Sequence, residues 1–362
     1  MIDGNFVVDV NVHPFFPSNA AMREYLPPEY RSRGIPDMES SWYQAPDGDY
    51  AERLYGDRHP GSDPATVAHD LFDEGCVDAA ILNPRTRGSL PDRRLNSAIC
   101  AGTNDWIASE WLDPEVGRGR FRGTIRVNPE DVEGAIAEIE RWADHPRMVQ
   151  VGVPLQSREP YGKPQFEPIW HAAVSHDLPV AVTINGGAGL EFAPTATGHA
   201  RTYLHYAAYM PLNYFHHLTN LIIEGVFDRI PELVFVFPEG GIDILTPLMW
   251  RLDTFWRAFR DQTPWVLKYP SEYLAAHARF GTGLEGPLGD VPADEWLDQM
   301  GKANLLMYAS NYPYWSWLRP DDLSASFTPE QRGRIMSGNA TDLYRIEVPV
   351  SEQAASDSVS SA

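Results

Sequence analysis

Cysteine is scarce in this chain, with only Cys76 and Cys100 among 362 residues and no C-x-x-C pair. That spacing excludes a disulfide scaffold and a cysteine zinc site, and leaves both thiols as small apolar packing groups. Positive charge is also short: 29 Lys and Arg stand against 50 Asp and Glu, for a formal net charge of −21. Nucleic acid and anionic membrane are therefore not expected partners, and solubility is the simplest reading of the acidity. No apolar run reaches the ~18 residues that a membrane span needs. The opening MIDGNFVVDVNVHP lacks the basic start and long apolar stretch of a secretory signal, so a cytoplasmic location is the default expectation. A glycine-rich phosphate turn is missing after the first apolar run, where Val12-His13-Pro14 stands instead. This argues against a nucleotide-binding open sheet.

What is present is apolar and aromatic. Hydrophobic residues make up 43% of the chain, enough for a large core, and 11 Trp, 16 Tyr and 31 Pro point to ordered loops with buried aromatic contacts. Short apolar runs at 6–12, 77–83, 121–128, 148–154, 178–184, 232–239 and 304–313 read as strands. A further strand is the least distinct, with 277–283 the best candidate. Between them lie helical patterns at 64–76, 95–112, 129–145, 166–177, 213–230, 241–261 and 328–346. Ser62-Asp63-Pro64 caps the first of these, and Pro129 sits in the first turn of the third. Near-continuously apolar strands alternating with helices predict a parallel sheet covered on both faces, in the α/β class. The expected architecture is a (β/α)8 TIM-type barrel, with a doubly wound open sheet as the alternative. Residues 1–348 form one expected domain, with 14–63 a Pro-, Tyr-, Asp- and Arg-rich insertion after strand one. The Ser/Ala-rich tail 349–362 is expected to be disordered.

A barrel directs attention to the C-terminal ends of its strands. Strand one ends Asp9-Val10-Asn11-Val12-His13, and a period of two predicts that residues 9, 11 and 13 share one side. Carboxylate, amide and imidazole converging there are the beginnings of a metal site, although a lone strand-end His is more often a structural hydrogen-bonder. Strand five ends Thr183-Ile184-Asn185 before Gly186-Gly187, a place for close ligand approach or a tight turn. Strand six ends Pro238-Glu239-Gly240-Gly241, where Glu239 is either a ligand or acid/base group or a helix-start carboxylate. Strand eight ends Ser310-Asn311-Tyr312-Pro313-Tyr314-Trp315, and Asn311 reads equally as a turn residue. Four histidines, His199, His205, His216 and His217, lie between strands five and six without i, i+4 ligand spacing. Each is singly more consistent with a structural role, while His205 and His217 are candidates to line the mouth with Thr183, Asn185, Tyr314 and Trp315.

Together these segments resemble the amidohydrolase superfamily, and within it the amidohydrolase-related family that includes aminocarboxymuconate-semialdehyde decarboxylase-like enzymes. The resemblance runs from about Phe6 to Tyr344. It is most specific in LTNLIIEGVFDRIPELVFVFPEGGIDILTPLMWRLDTFW (218–256), with PWVLKYPSEYL (264–274) and GNATDLY (338–344) as further blocks. It implies a metallo-dependent-hydrolase-like barrel with a divalent metal (Fe, Mn or Zn) at the mouth. The ligands it implies are an H-x-H or D-x-H motif on strand one, a His after strand five and an Asp after strand eight, in the setting S-D-Y-P-H-W. Here the strand-one motif is Asn11-Val12-His13, Thr183 stands at the strand-five position, and Asn311 and Tyr314 replace the Asp and His of strand eight. Glu239 matches an E-G-G variant of strand six. Amide oxygens bring no net charge to a cation, and Asn311 cannot take a proton from water as a carboxylate can. The implied metal set is therefore His13, Asn11, Glu239 and Asn311, weak or mononuclear, with Glu239 and Asn311 the candidates for chemistry.

Three functions follow as expectations. The first is a metal-depleted partner subunit in a hetero-oligomeric non-haem dinuclear-metal monooxygenase, of the kind exemplified by the two-subunit 2-aminoisobutyric acid hydroxylases. There a paralogous amidohydrolase-fold subunit would carry the complete site, with a small amino acid or amine as substrate and an electron-transfer protein as a further partner. The second is a metal-dependent hydrolase or decarboxylase with a non-standard mononuclear site. The third is a non-catalytic barrel binding a small molecule through Tyr312, Tyr314, Trp315 and Trp317, for which core and loop packing is the plainer reading.

Overall fold

A computed structural model describes residues 6–34, 61–185, 198–282, 303–324 and 327–349. Much of the insertion after strand one, the Gly186-Gly187 pair and the tail from residue 350 lie outside the described residues. Eight parallel strands pair in chain order: β1 (Val8–Val12), β2 (Ala79–Leu82), β3 (Phe121–Arg126), β4 (Met148–Pro154), β5 (Val180–Thr183), β6 (Phe235–Phe237), β7 (Ala278–Gly281) and β8 (Leu306–Met307). The barrel closes where Val12 bridges Tyr312 and where the Val10 N–H donates to the Tyr308 carbonyl at 2.9 Å. The weak seventh apolar run is indeed β7. The eighth run, read as ten residues, contributes only two to the ladder, and the rest is the loop that carries Asn311.

Helices return the chain outside the barrel, and their boundaries follow local chemistry. Asp63 caps the first long return by accepting from the Thr66 N–H, and Asp92 caps Arg93–Trp106 through Leu95. The third helical pattern begins later than its Pro129 suggests: Asp131 is the cap and Val132 the first helical residue. The pattern read over 213–230 is two helices, Pro211–Ile223 and Val226–Arg229, broken at Gly225, whose φ is 70°. Outward-facing strand residues such as Val12, Leu82, Ile125, Val151 and Val153 join the helices in the main apolar core.

Inside the barrel the layers change character from bottom to top. Val8, Val10, Ala79, Ile81, Ala181, Val236 and Met307 form an apolar floor, closed by Tyr344 and Ile346. Above it lies a polar layer centred on Asn83. The Asn83 amide oxygen accepts from Thr124 Oγ1 (3.0 Å) and Gln150 Nε2 (2.9 Å), and Gln150 Oε1 accepts from the Tyr344 hydroxyl at 2.8 Å. The topmost layer is the C-terminal mouth, where the candidate site residues converge.

Candidate functional site

The site depends on an irregularity in β1. Asp9 pairs with Ala80 and Val12 with Leu82, so one extra residue is inserted between them. A bulge of this kind reverses which side chains face inward. Val8 and Val10 face the barrel interior below the bulge, and Asn11 and His13 reach the mouth above it. Simple alternation over 9, 11 and 13 is thereby corrected: Asp9 leaves the group and receives the Asn11 and Ser310 backbone N–H groups on Oδ1, both at 3.0 Å. Burial raises the Asp9 carboxyl to about 6.

His13 is held in one orientation. Its Nδ1 lies 3.1 Å from the Asn83 carbonyl, which can only accept, so Nδ1 carries the proton and Nε2 presents a lone pair. Burial, reinforced by the positive charge of Arg85, pushes His13 down to about 3, which keeps the ring neutral. Nε2 faces the Asn311 amide oxygen at 3.1 Å and Glu239 Oε1 at 3.8 Å. The Asn311 amide is oriented by its other end, which donates from Nδ2 to Ser316 Oγ at 2.6 Å. Its backbone sits at φ 60°, a left-handed conformation that Asn tolerates better than most residues. Glu239 is fixed through Oε2, which accepts from the Ile184 N–H (2.7 Å) and the Tyr214 hydroxyl (2.8 Å). Its Oε1 is buried without a hydrogen-bond partner, and burial raises its carboxyl above the ordinary range.

Three lone-pair donors thus face one another: His13 Nε2, Asn311 Oδ1 and Glu239 Oε1. What the arrangement lacks between them is a cation or a proton, so these residues fit a single divalent metal. The fourth expected ligand, Asn11, is turned away from that role, and the mouth-lining Thr183 is engaged elsewhere. Asn11 Oδ1 accepts from Asn83 Nδ2 at 3.1 Å, and its Nδ2, not its oxygen, points towards Asn311 at 3.4 Å. Thr183 Oγ1 accepts from Arg126 Nη1 at 2.7 Å.

The remaining mouth candidates divide. Tyr314 lies against His13, with ring centroids 5.1 Å apart, and the Arg85 guanidinium sits 4.6 Å over its ring. Asn185 Oδ1 accepts from the Gln156 N–H and so ties the ends of β4 and β5 together. His217 is buried and structural: Nε2 donates to the Leu155 carbonyl at 2.8 Å and Nδ1 receives the Tyr161 N–H at 3.3 Å. His199, His205 and His216 are exposed, and Trp315 packs edge-on against Tyr203. Tyr312 is fully buried, with its hydroxyl donating to Asp70 and Trp317 packed at its edge, as the packing interpretation predicts. Sequence reading passed over Arg85, Arg126, Asn83 and Tyr214. The available signal was a charged or amide side chain at the end of an apolar run, in GTIRVN and in AAILNPR.

A family model described as amidohydrolase matches residues 64–346. No curated protein sequence matches the chain. Among solved structures, the chain is similar to 2,6-dihydroxybenzoate decarboxylase from Rhizobium, at 19% identity over 94% of this chain and 99% of that one, with a TM-score of 0.68. It is similar also to 5-carboxyvanillate decarboxylase from Novosphingobium aromaticivorans, complexed with manganese and 4-hydroxy-3-methoxy-5-nitrobenzoic acid, at 19% identity over 95% and 97% of the two chains and a TM-score of 0.68. An amidohydrolase from Mycobacterium avium subsp. paratuberculosis matches at 18% identity over 94% and 99% of the two chains, with a TM-score of 0.72. The hydroxylase-subunit expectation is corrected by these likenesses, which include decarboxylases with bound manganese and no hydroxylase subunit among those named.

Proposed function

Because the chain belongs to the amidohydrolase family, we propose that it is a decarboxylase acting on a small, planar carboxylic acid at the barrel mouth, with one divalent cation. His13, Glu239 and Asn311 would hold that cation, which would supply positive charge to the reacting group. The observation that carries the reading is the convergence of His13 Nε2, Asn311 Oδ1 and the unpartnered Glu239 Oε1. Asn311 favours decarboxylation over hydrolysis on chemical grounds. Hydrolysis needs a base that deprotonates water, and an amide is not one. Decarboxylation uses no water nucleophile: the carbon–carboxylate bond breaks, CO2 leaves, and the carbon takes up a proton. The manganese in the similar decarboxylases makes Mn2+ the first metal to test.

The test loads metal-stripped protein with Mn2+ and measures CO2 release from 2,6-dihydroxybenzoate, 5-carboxyvanillate and related hydroxybenzoates. Near-stoichiometric Mn2+ and saturable CO2 release are expected. Glu239→Gln should lower metal affinity by more than the roughly 10–100-fold that changes outside the ligand set cause. Metal-loaded protein that releases no CO2 from these acids but hydrolyses amides or lactones would overturn the reading.

A further inference from the structure

The barrel mouth contains a second charged feature that the cation site does not use. Arg126, the last residue of β3, is fully buried. Its backbone is clamped by Asn104, whose Oδ1 accepts the Arg126 N–H at 2.7 Å and whose Nδ2 donates to the Arg126 carbonyl at 2.9 Å. Its side chain lies over Gly152 of β4, where an added Cβ would come within 2.7 Å of Nη1. Nη1 donates to Thr183 Oγ1 at 2.7 Å and Nη2 to Thr86 Oγ1 at 3.1 Å. Both acceptors are neutral hydroxyls. A guanidinium has five N–H donors, and Nε is buried with no partner. Among the described residues Arg126 makes no ion pair. A buried cation is ordinarily paired or solvated, because its desolvation is not offset by neutral acceptors alone. Glu239 is the carboxylate whose charge reaches it, and that carboxylate is tied by Tyr214 and Ile184.

The position matters as much as the missing counter-charge. Thr183 stands where the family resemblance places a histidine ligand after strand five. The Arg126 guanidinium is docked on Thr183, so a permanent organic cation lies at the strand-five side of the mouth, beside the His13, Glu239 and Asn311 group. A second guanidinium, that of half-buried Arg85, faces the same centre from the β2 loop, and its charge acts on both His13 and Glu239.

We propose that Arg126, seated on Thr86 and Thr183, is a carboxylate-binding subsite that anchors an anionic ligand beside His13 and Glu239, with Arg85 on the entry side. The neutral Asn11, Thr183 and Asn311 bring no negative charge towards a metal, and the guanidinium offers positive charge directly to an anionic ligand. A planar fork suits a carboxylate through two parallel N–H···O bonds. The choice of a carboxylic acid as ligand rests on the decarboxylase reading, but the subsite itself does not require turnover or metal.

The experiment uses the full chain stripped of metal with a chelator, so that it can fail independently of CO2 release. Benzoate is titrated while thermal unfolding and binding heat are followed, with sodium chloride at matched ionic strength as control. Wild-type protein should show a saturable rise in unfolding temperature with benzoate and none with chloride. Arg126→Met should lose the response, with affinity at least about tenfold weaker, the share of a charge-assisted hydrogen bond in a buried site. Should that variant fail to fold, Arg126→Lys keeps the charge without the fork and should be weakened in the same direction. No benzoate response in the stripped wild type, an equal response to chloride, or unchanged affinity in the Arg126 variants would overturn the subsite. Benzoate binding without CO2 release would leave the subsite standing and sink only the decarboxylase reading.

Discussion

At the scale of single residues, the mouth is governed by which atoms carry hydrogens. His13 is neutral because it is buried and faces Arg85, and its Nδ1–H is committed to Asn83. Asn311 is the residue where one atom would change the outcome most. Asn311→Asp should tighten Mn2+ binding by about tenfold or more, because it adds a full negative charge beside the cation. The same change should lower the unfolding temperature of metal-free protein, because it places a second carboxylate against Glu239. Metal titration and thermal unfolding of stripped and loaded protein read both effects. His217 gives a pH prediction away from the metal site. Burial lowers it from 6.5 to about 4, so it is neutral when folded and takes a proton more readily when unfolded. The unfolded state therefore binds more protons as pH falls from 6.5 towards 4, and stability should fall across that window. Buried Asp9, raised from 3.8 to about 6, acts oppositely: its contribution is present below 3.8 and lost as pH rises through 6. Urea midpoints measured from pH 7 to 4 should show the His217 component as a slope that flattens in His217→Gln. That variant also loses stability at pH 7, because hydrogen bonds to Leu155 and Tyr161 change.

At the scale of elements, the strands matter for where they end and how they are interrupted. The bulge in β1 brings Asn11 and His13 to the mouth, and the left-handed turn at Asn311 brings strand eight to meet them. The β3–β4 pair positions Arg126, and it does so only because residue 152 has no side chain. A Cβ there would lie 2.4 Å from Thr124 Cγ2 and 2.7 Å from Arg126 Nη1. Gly152→Ala should therefore destabilise the protein by about 1–3 kcal/mol, the usual range for overpacking, and weaken benzoate binding along with it. Denaturant unfolding and calorimetry check the two parts. These elements were partly legible beforehand. Periodicity located every strand among the described residues, including β7, but it could not show that two residues of strand eight pair while the next few form a loop. Nor could it show a bulge, since a single inserted residue leaves the local composition unchanged.

At the scale of the whole molecule, the barrel combines an apolar floor, a polar middle layer and a charged mouth in one interior. The described residues contain no helix long and apolar enough to cross a membrane. Binding at the mouth should be felt globally, because β1, β6 and β8 supply the lone-pair donors. Mn2+ at about a hundred times its dissociation constant should stabilise the fold by about 2.7 kcal/mol. Thermal unfolding with and without Mn2+, and after chelation, measures this. A midpoint independent of Mn2+ would count against a site that joins these strands.

The chain alone determined the barrel, because alternating apolar runs and capped helices are local properties written in consecutive residues. It also marked His13, Glu239 and Asn311, because each stands at the end of such a run in a family-like setting. The tertiary structure decided what those residues do. Only packing shows that the Asn11 oxygen is spent on Asn83, that His217 is locked to backbone, and that Asp9 turns away from the site. The same holds for Arg126, which in sequence is a single charge near the end of an apolar strand. Its meaning comes from Thr86, Thr183 and Gly152, which are distant along the chain and meet it only when the sheet closes.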